Sequence, residues 1–366
     1  MSTQPLRVLV VTVVHDPEDA RIRYRQIPAL VEAGHQVLYA APFEAFGRTP
    51  PPEVRALSLP RAAGRRRLPA ICAARRLITR IGASADVILL HDPDLLLAVA
   101  GLGRHVAPVV WDVHEDTAAA LSIRSWVPGA LRRPTAGAVR LAERLAEQRY
   151  HLLLAEDSYQ ERFRFDHPVV PNSVRVPATP PAEPGSDRVV YLGKISHARG
   201  AEEMLALARA VPEVKFQLIG PAEAPLQSEL RAAHRAGDIE WVEFLPNEQA
   251  LAMLPGALAG LALLHDEPNY ARSLPTKLVE YLAHGVPVIS TPNEAAADLV
   301  TASAGGIVVP FHGAAEEAAT ALRSLAADRR RRSAYAARGY DYVSRHVNWR
   351  TDGAAFVRTL EVISRS

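Results

Sequence analysis

The sequence is poor in several features that would indicate particular classes of protein. Its 366 residues include one cysteine, Cys72, which excludes an internal disulfide and a cysteine-based metal cluster. An early apolar run, residues 8–14, ends at His15, far short of the roughly 20 residues that cross a bilayer. We find no signal peptide or membrane span in the sequence and expect a cytoplasmic protein.

Neither positive nor negative charge is in large excess, and lysine is rare. The formal net charge is +2, which gives no reason to expect a nucleic acid or an acidic partner. Only Lys194, Lys215 and Lys277 are lysines among the 42 basic residues. Because arginine is the usual cation of this chain, each position that keeps a lysine is a candidate for a specific role.

Short apolar runs alternate with longer stretches of helical period, which is typical of α/β proteins with parallel sheets. The predicted strands of the first half are 8–13, 37–41, 54–59, 87–90, 109–113 and 152–155, and those of the second half are 189–192, 215–219, 240–244, 260–264, 286–290 and 306–309. Two such arrays predict two facing, Rossmann-like, doubly wound domains.

The predicted domains are separated by residues 171–187, which contain five prolines and no long apolar run and are therefore interpreted as a linker. The first domain is then 1–170 and the second 188–348, and a final helix is expected in 349–366. Ligands of open α/β sheets bind beyond the carboxyl ends of the strands, so we expect the site there.

Residues 273–291, SLPTKLVEYLAHGVPVIST, carry the most informative pattern. Ser273 can cap a helix that Gly285 ends, and Thr276 and Lys277 lie in its first turn, where free backbone N–H groups suit a phosphate. Glu280 is about 200° around the helix from the apolar stripe. Taken alone, Glu280 is predicted to be a solvated helix residue.

A second pattern is YLGKISHARG, residues 191–200. Gly193 lets the chain turn sharply after a strand, and Lys194 and Arg199 follow in the loop. Two cations at the carboxyl end of a strand can flank a diphosphate. The alternative is that both are ordinary surface cations.

Both patterns resemble retaining glycosyltransferases of family 4, which have the GT-B fold of two facing Rossmann-like domains. The matching positions are Gly193, Lys194, Ile195, Arg199, Gly200, Glu280, Gly285, Pro287 and Val288. The resemblance implies that Glu280 binds the ribose of a nucleotide, that the two cations hold its diphosphate, and that the helix in 349–366 crosses back to the first domain. A first glutamate of the family is replaced here by Arg272, as in a subgroup that lacks it, so we expect Arg272 to contact the donor sugar.

The first domain offers further candidates. His15, Asp19 and Arg21 follow the first strand and resemble a histidine–aspartate–arginine form of the family's donor-binding loop, although Asp19 can also simply cap a helix and Arg21 can be solvated. By the same resemblance, His114 lies beside the transferred sugar. Asp116 either orients the acceptor or caps the next helix.

The resemblance implies a nucleotide diphosphate sugar as co-substrate and neither a metal nor another cofactor. An aspartate-x-aspartate pattern ends at Asp94, but Asp94 precedes an apolar helical run and is better interpreted as an N-cap than as a metal ligand. Gly101 and Gly103 form only part of a dinucleotide fingerprint, which disfavours a dehydrogenase.

Two segments are candidates for peripheral contact with an anionic membrane. Residues 61–80 contain seven arginines and no acid, and residues 123–140 contain Trp126 with Arg132 and Arg133. A solvated arginine-rich face is the alternative.

The prediction is a retaining glycosyltransferase of hexosyltransferase type, which transfers a sugar to an acceptor that the sequence does not identify. His114, Lys194 and Arg199 are the predicted catalytic residues. Two alternatives stay open: a nucleotide-sugar epimerase of the same fold, and a non-catalytic protein that binds sugar nucleotides or lipid.

Overall fold

The computed structural model describes residues 4–114, 129–268, 270–271 and 274–365, and the chain divides into two compact units. Unit 1 contains Met1–Asn172 together with Arg350–Ser366, and unit 2 contains Ser173–Trp349. The chain therefore returns to unit 1 at its end.

Unit 1 is built on a six-stranded parallel sheet. Its strands are β1 (Arg7–Val11), β2 (Gln36–Ala41), β3 (Arg55–Ser58), β4 (Val87–Leu90), β5 (Val109–Val113) and β6 (His151–Leu154), in the order β3-β2-β1-β4-β5-β6. Its α-helices are α1 (Ile27–Glu32), α2 (Phe43–Phe46), α3 (Arg67–Ile81), α4 (Leu95–Val99) and α5 (Gly129–Glu147). A π-helical turn, Ile22–Gln26, precedes α1.

Unit 2 repeats this design. Its strands are β7 (Arg188–Leu192), β8 (Lys215–Ile219), β9 (Glu240–Val242), β10 (Ala259–Ala262), β11 (Val288–Ser290) and β12 (Gly306–Val308), in the order β12-β11-β10-β7-β8-β9. Its helices are α6 (Ala201–Ala210), α7 (Gln227–Ala236), α8 (Asn247–Ala252), α9 (Thr276–Ala283), α10 (Glu294–Ser303), α11 (Ala314–Ala327) and α12 (Arg329–His346). The last helix of the chain is α13 (Trp349–Ile363).

Both sheets have the strand order of the Rossmann fold, with the direction of the order reversing between β1 and β4 and between β7 and β10. The predicted fold class, two Rossmann-like doubly wound domains, is confirmed. Central strands such as β4 and β10 are buried along their whole length, as expected for parallel strands covered on both faces.

The last helix, α13, packs on unit 1, as the predicted crossover requires. Phe356 and Leu360 are fully buried, and Glu361 lies 3.4 Å from the Nε2 atom of His35. Among the described residues, no helix is both long and apolar enough to span a membrane.

The proline-rich stretch predicted as a linker is packed on unit 2. Val174 is fully buried, the hydroxyl of Tyr340 donates to the carbonyl of Pro177 at 2.7 Å, and the Gly185 amide donates to the carbonyl of Gly256 at 2.9 Å. Prolines leave fewer backbone N–H groups to satisfy, so the stretch can lie on the unit without forming a strand.

The two central strands of unit 2, β7 and β10, are paired along only part of their length. Pairing of β7 with β10 ends at Val190 and Gly260, so the amide of Leu192 has no partner on β10. The hydroxyl of Tyr281, on α9, accepts from that amide at 2.7 Å and donates to the carbonyl of Leu261 at 3.3 Å. The Tyr281 ring lies so close to Gly260 that a Cβ at position 260 would be 2.4 Å from ring carbons.

Replacing this glycine should therefore destabilise unit 2. We expect Gly260→Ala to lower the free energy of unfolding by about 1–3 kcal/mol, the usual range for overpacking a core. Urea unfolding followed by circular dichroism measures it. In the matched variant Gly137→Ala, on α5, the new methyl group meets no atom within 4 Å and should be neutral or mildly stabilising. Equal midpoints for Gly260→Ala and the parent protein would contradict this account.

Candidate functional site

The loops that follow β1, β4 and β5 meet at the carboxyl edge of the unit 1 sheet, where the strand order reverses. Pairing of β1 with β4 ends at Val11 and Leu90. Beyond it, the carboxylate of Asp92 accepts from the hydroxyl of Thr12 at 3.0 Å and from the amides of Val13 and Val14. Asp92 is fully buried and thus fixes the loop that carries His15.

Three histidines, His15, His91 and His114, form a cluster beside this loop. The Nε2 atoms of His15 and His114 are 3.0 Å apart, so one ring donates a proton and the other accepts it. The Oδ1 atom of Asp92 lies 3.3 Å from the Nε2 atom of His15. The predicted residues His15 and His114 are therefore brought together.

Asp19 has the capping role that the sequence left open. Its Oδ1 atom accepts from the amides of Arg21 and Ile22, at 2.9 and 3.1 Å, where the π-turn begins. Its other oxygen lies 4.0 Å from the Nδ1 atom of His15. Burial acts against its charge, yet the neighbouring histidines, His15 first, hold the pKa of this carboxyl below its usual value.

Arg21 was predicted either to bind the nucleotide sugar or to be solvated. The structure corrects both predictions, because the guanidinium of Arg21 is buried and already bonded within the protein. Its guanidinium makes two bonds of 2.7 Å to the carboxylate of Asp112, and its other N–H groups donate to the carbonyls of Val170 and Pro171 and to the side chain of Asn172. All five donors of the guanidinium are thereby engaged. Arg21 holds buried parts of unit 1 together.

The π-turn explains why Gln26 contacts Asp112, a contact that the period of an α-helix does not predict. A π-turn bonds residues five apart, here the amide of Ile27 to the carbonyl of Ile22. It lets Arg21 and Gln26 both reach Asp112, the amide of Gln26 donating to it at 2.9 Å. Asp112 is fully buried, and although burial acts against its charge, Arg21 holds its pKa well below the usual range.

Asp112 also sets the protonation of two rings. It lies 3.2 Å from the Nδ1 atom of His91 and 3.5 Å from that of His114. Burial lowers the pKa of His91, whereas at His114 the attraction of Asp112 outweighs burial and raises the pKa. Of the two rings beside Asp112, His114 therefore carries a proton more readily than His91.

His91, Asp112 and His114 are the set of described residues with suitable spacing for a metal ion, their ligand atoms lying within 4.8 Å of one another. Both Asp112 oxygens, however, already accept from Arg21, whose positive charge would repel a cation. These residues fit an ion-paired network better than a metal centre. Asp94 lies at the N-cap position before α4, but its side chain makes no capping hydrogen bond there and lies 3.5 Å from Arg67.

In unit 2, the predicted donor residues gather at the carboxyl end of β7. Gly193 turns the chain with φ of 117°, which favours glycine. The Nζ atom of Lys277, in the first turn of α9, lies 3.5 Å from the centre of the Tyr191 ring and close to Gly193. Thr276 is the first residue of α9, so the free amides of the helix start lie at the same place.

The two predicted cations after β7 differ in environment. Arg199 ends a tight turn, His197–Arg199, and interacts with the phenols of Tyr191 and Tyr270. Lys194 is half exposed, and its amine is paired with Glu223 at 2.7 Å. Arg199 is therefore the better placed of the two to hold a buried anion together with Lys277.

Glu280 corrects the expectation that it is solvated. Residues 278–283 of α9 are all buried, and Glu280 is 5% exposed. The helix is covered on more than one face, because it contacts both β10 and α12. The prediction assumed that only one apolar stripe of this helix is buried, and this assumption does not hold for α9.

Asp116, Arg272 and Ser273 lie outside the described residues, and so do Trp126 with the whole of 123–128 and the side chains of Arg132 and Arg133. Sequence reasoning missed Asp92, Asp112, Tyr191 and Tyr281. Asp92 and Asp112 carried a usable signal, since Asp112 is a charged residue within the apolar strand β5 and Asp92 follows shortly after the apolar strand β4.

The Arg21–Asp112 pair should dominate the stability of unit 1. Removing one partner leaves a buried charge, so we expect Arg21→Met to cost about 3–5 kcal/mol in the free energy of unfolding. The double variant Arg21→Met/Asp112→Leu should recover part of that loss. Chemical unfolding measures both, with Arg7→Met, which breaks the exposed pair with Asp86, as a control that should change little. A similar loss in Arg7→Met and Arg21→Met would refute the assignment.

Comparison with known proteins gives one sequence match and many structural ones. Residues 177–342 match the sequence model of the family "Glycosyl transferases group 1". No curated protein matches the sequence significantly.

Among solved structures, the chain is similar to sucrose-phosphate synthase from Thermosynechococcus elongatus (17% identity, 99% of this chain and 100% of that one, TM-score 0.72). It is also similar to HepE of Anabaena in complex with UDP-glucose (14% identity, 98% and 100%, TM-score 0.70) and to WaaG, a glycosyltransferase involved in lipopolysaccharide biosynthesis (13% identity, 99% and 100%, TM-score 0.68). The chain thus has the GT-B fold over nearly its whole length, and most of unit 2 has the sequence pattern of group 1 glycosyl transferases.

Proposed function

We propose that this protein is a retaining glycosyltransferase of hexosyltransferase type, which transfers a sugar from a nucleoside diphosphate sugar to an acceptor hydroxyl. One observation carries the proposal. Lys277 and Arg199 lie together at the carboxyl end of β7 beside a helix start, and among residues 4–114, 129–268, 270–271 and 274–365 no carboxylate pairs with Lys277. Such a site favours an anion with several oxygens.

The site suits the leaving group of glycosyl transfer. Negative charge grows on the diphosphate as the bond to the sugar breaks, and fixed cations in a shielded position stabilise that charge. Arg199, Lys277 and the amides at the start of α9 supply them. The buried Glu280, further along α9, is the proposed ribose ligand, and no metal is part of the proposal.

The complexes of HepE with UDP and UDP-glucose make UDP the first nucleotide to test. We propose that unit 2 binds the donor and that unit 1 binds the acceptor, with His114 beside the transferred sugar and Asp116 at the acceptor. His15 and Asp19, in the loop after β1, are proposed contacts of the donor, and so are Arg272 and Ser273. Retention is tested by NMR of the product, whose anomeric coupling must match that of the donor.

A thermal-shift panel of UDP, GDP, ADP and TDP, alone and as sugar conjugates, tests donor binding. A ligand at 100 times its Kd stabilises the folded state by about 2.7 kcal/mol, which gives a measurable shift. We expect one nucleotide to raise the Tm and Glu280→Ala to reduce that shift. A panel without any shift would contradict the proposal.

Arg199→Ala should slow sugar transfer roughly 100- to 1000-fold, the usual cost of removing one charge-stabilising donor. Lys194→Ala should cost less, since Lys194 is half exposed and already paired with Glu223. Steady-state rates measure both, with Lys215→Ala, an exposed residue that begins β8, as the control. Near-normal turnover of Arg199→Ala would remove this residue from the mechanism.

We further propose that unit 1 contacts an anionic membrane from the cytoplasmic side. Helix α3 carries exposed Arg76 and Arg80 and an exposed Leu68. Helix α5 buries its carboxylates, Glu143 and Glu147, and exposes apolar side chains on the other side: Leu141 and Leu145. Cationic and apolar surfaces together suit an anionic bilayer.

Co-sedimentation with vesicles measures this contact. We expect binding to vesicles that contain phosphatidylglycerol, little binding to pure phosphatidylcholine, and a loss of binding in Arg76→Glu/Arg80→Glu because the electrostatic attraction is removed. The matched charge change Arg345→Glu, on the exposed surface of α12, should leave binding intact. Absence of binding at moderate salt would exclude the contact.

A further inference from the structure

The side chain of Lys277 is enclosed by the elements that form the proposed diphosphate site. It runs past Gly193, where a Cβ would lie 3.5 Å from its Nζ atom and 3.7 Å from its Cε atom. Its amine ends over the face of the Tyr191 ring, 3.5 Å from the ring centre. Lys277 is thus partly buried, with its amine covered by Tyr191 and Gly193.

Of the groups around this amine that belong to the described part of the chain, none supplies a negative charge. Tyr191, on β7, keeps its proton, since its hydroxyl donates to the carbonyl of Lys194 at 2.7 Å and burial raises its pKa. Arg199, from the turn after β7, is a second cation, and it is Tyr270, from the loop before α9, that contacts Arg199. Tyr281 is buried on α9 itself, where burial raises its pKa too.

Carboxylates lie further along the same elements without an ion pair to Lys277 in the described chain. Glu280 is one turn further along α9 and buried, and Glu223 is paired with Lys194. Burial first, and repulsion from Arg199 second, therefore hold the pKa of the Lys277 amine well below its usual value. The face of a tyrosine ring attracts a cation much more weakly than a carboxylate does, and so it does not offset these two effects.

We propose that the amine of Lys277 is uncharged in the unliganded protein and takes up one proton from solvent when an anionic diphosphate binds beside it and Arg199. The inference rests on the proposed function for the identity of the ligand. The proton is added to the lone pair of Nζ, and no covalent bond of the ligand changes. The site thus gains its second cation only when the anion is there to neutralise it.

The proposal predicts the direction in which the affinity for the ligand changes with pH. Where the amine is neutral in the free protein and charged in the complex, each unit rise in pH should weaken binding about tenfold, because one proton must be taken up. Below the pKa of the free amine, affinity should no longer depend on pH through this group. A nucleotide sugar is the right probe, since its diphosphate does not titrate near neutral pH.

The scarcity of lysine makes the charge of Lys277 directly observable. Protein labelled with ¹³C and ¹⁵N in lysine has three side-chain signals, from Lys194, Lys215 and Lys277, which Lys194→Arg and Lys215→Arg assign without altering Lys277. We expect the Cε signal of Lys277 at pH 8 to be that of a neutral amine. Saturating UDP-glucose, GDP-mannose or ADP-glucose, whichever binds, should move only that signal to the charged position.

Calorimetry gives an independent readout of the same proton. Heats of binding in phosphate and in Tris at pH 8 differ by the buffer ionisation enthalpy times the number of protons taken up, and we expect close to one for the parent protein. Lys277→Arg keeps a permanent charge and should show none, whereas Lys215→Arg, at an exposed position, should behave like the parent.

The outcomes separate the inference from the function on which it rests. A charged Lys277 signal in the free protein at pH 8 overturns the inference on the unmodified chain, whatever happens with Lys277→Arg. Tight binding of a nucleotide sugar without proton uptake overturns it too and leaves the glycosyltransferase proposal standing. A neutral amine with no binding of any nucleotide sugar or of inorganic pyrophosphate overturns the proposed function, and the uptake with it.

Discussion

Each sheet has to satisfy the backbone groups that are exposed where its two central strands part. In unit 2 the hydroxyl of Tyr281 takes the amide of Leu192, and in unit 1 the carboxylate of Asp92 takes the amides beyond β1. Buried amides left without partners cost a large part of the stability of a domain. The gap between the strands can stay open for a ligand because a side chain from another element supplies these bonds.

The charged side chains beside the parted central strands are carboxylates in unit 1 and cations in unit 2. In unit 1, buried carboxylates accept from amides, from histidines and from one guanidinium, so that the charges are matched within the protein. In unit 2, the described residues place Lys277 and Arg199 beside phenols instead of carboxylates. Unit 1 therefore neutralises its buried charges internally, whereas in the proposed function of unit 2 a bound anion supplies the negative charge.

Much of the fold could be predicted from the sequence, because parallel strands buried on both faces appear as continuous apolar runs. All twelve predicted strands are present, and β4, β5 and β8 have the predicted bounds. The site was harder to predict. The helix that carries Glu280 packs against α12, about 50 residues later in the chain, as well as against β10. Gln26 reaches Asp112 through a π-turn, which a period of 3.6 residues cannot represent. The pair of Arg21 with Asp112 joins residues 91 positions apart, a contact without a local signal.

The bonds of Arg21 have a mechanical consequence. The guanidinium of Arg21, which neutralises Asp112, also donates hydrogen bonds to Val170, Pro171 and Asn172. Asn172 is the last residue of unit 1 before the chain enters unit 2. The residue at which the chain leaves unit 1 and the carboxylate beside His91 and His114 are therefore bonded to one and the same side chain. The exit of the chain and the histidine cluster thus share a single structural support.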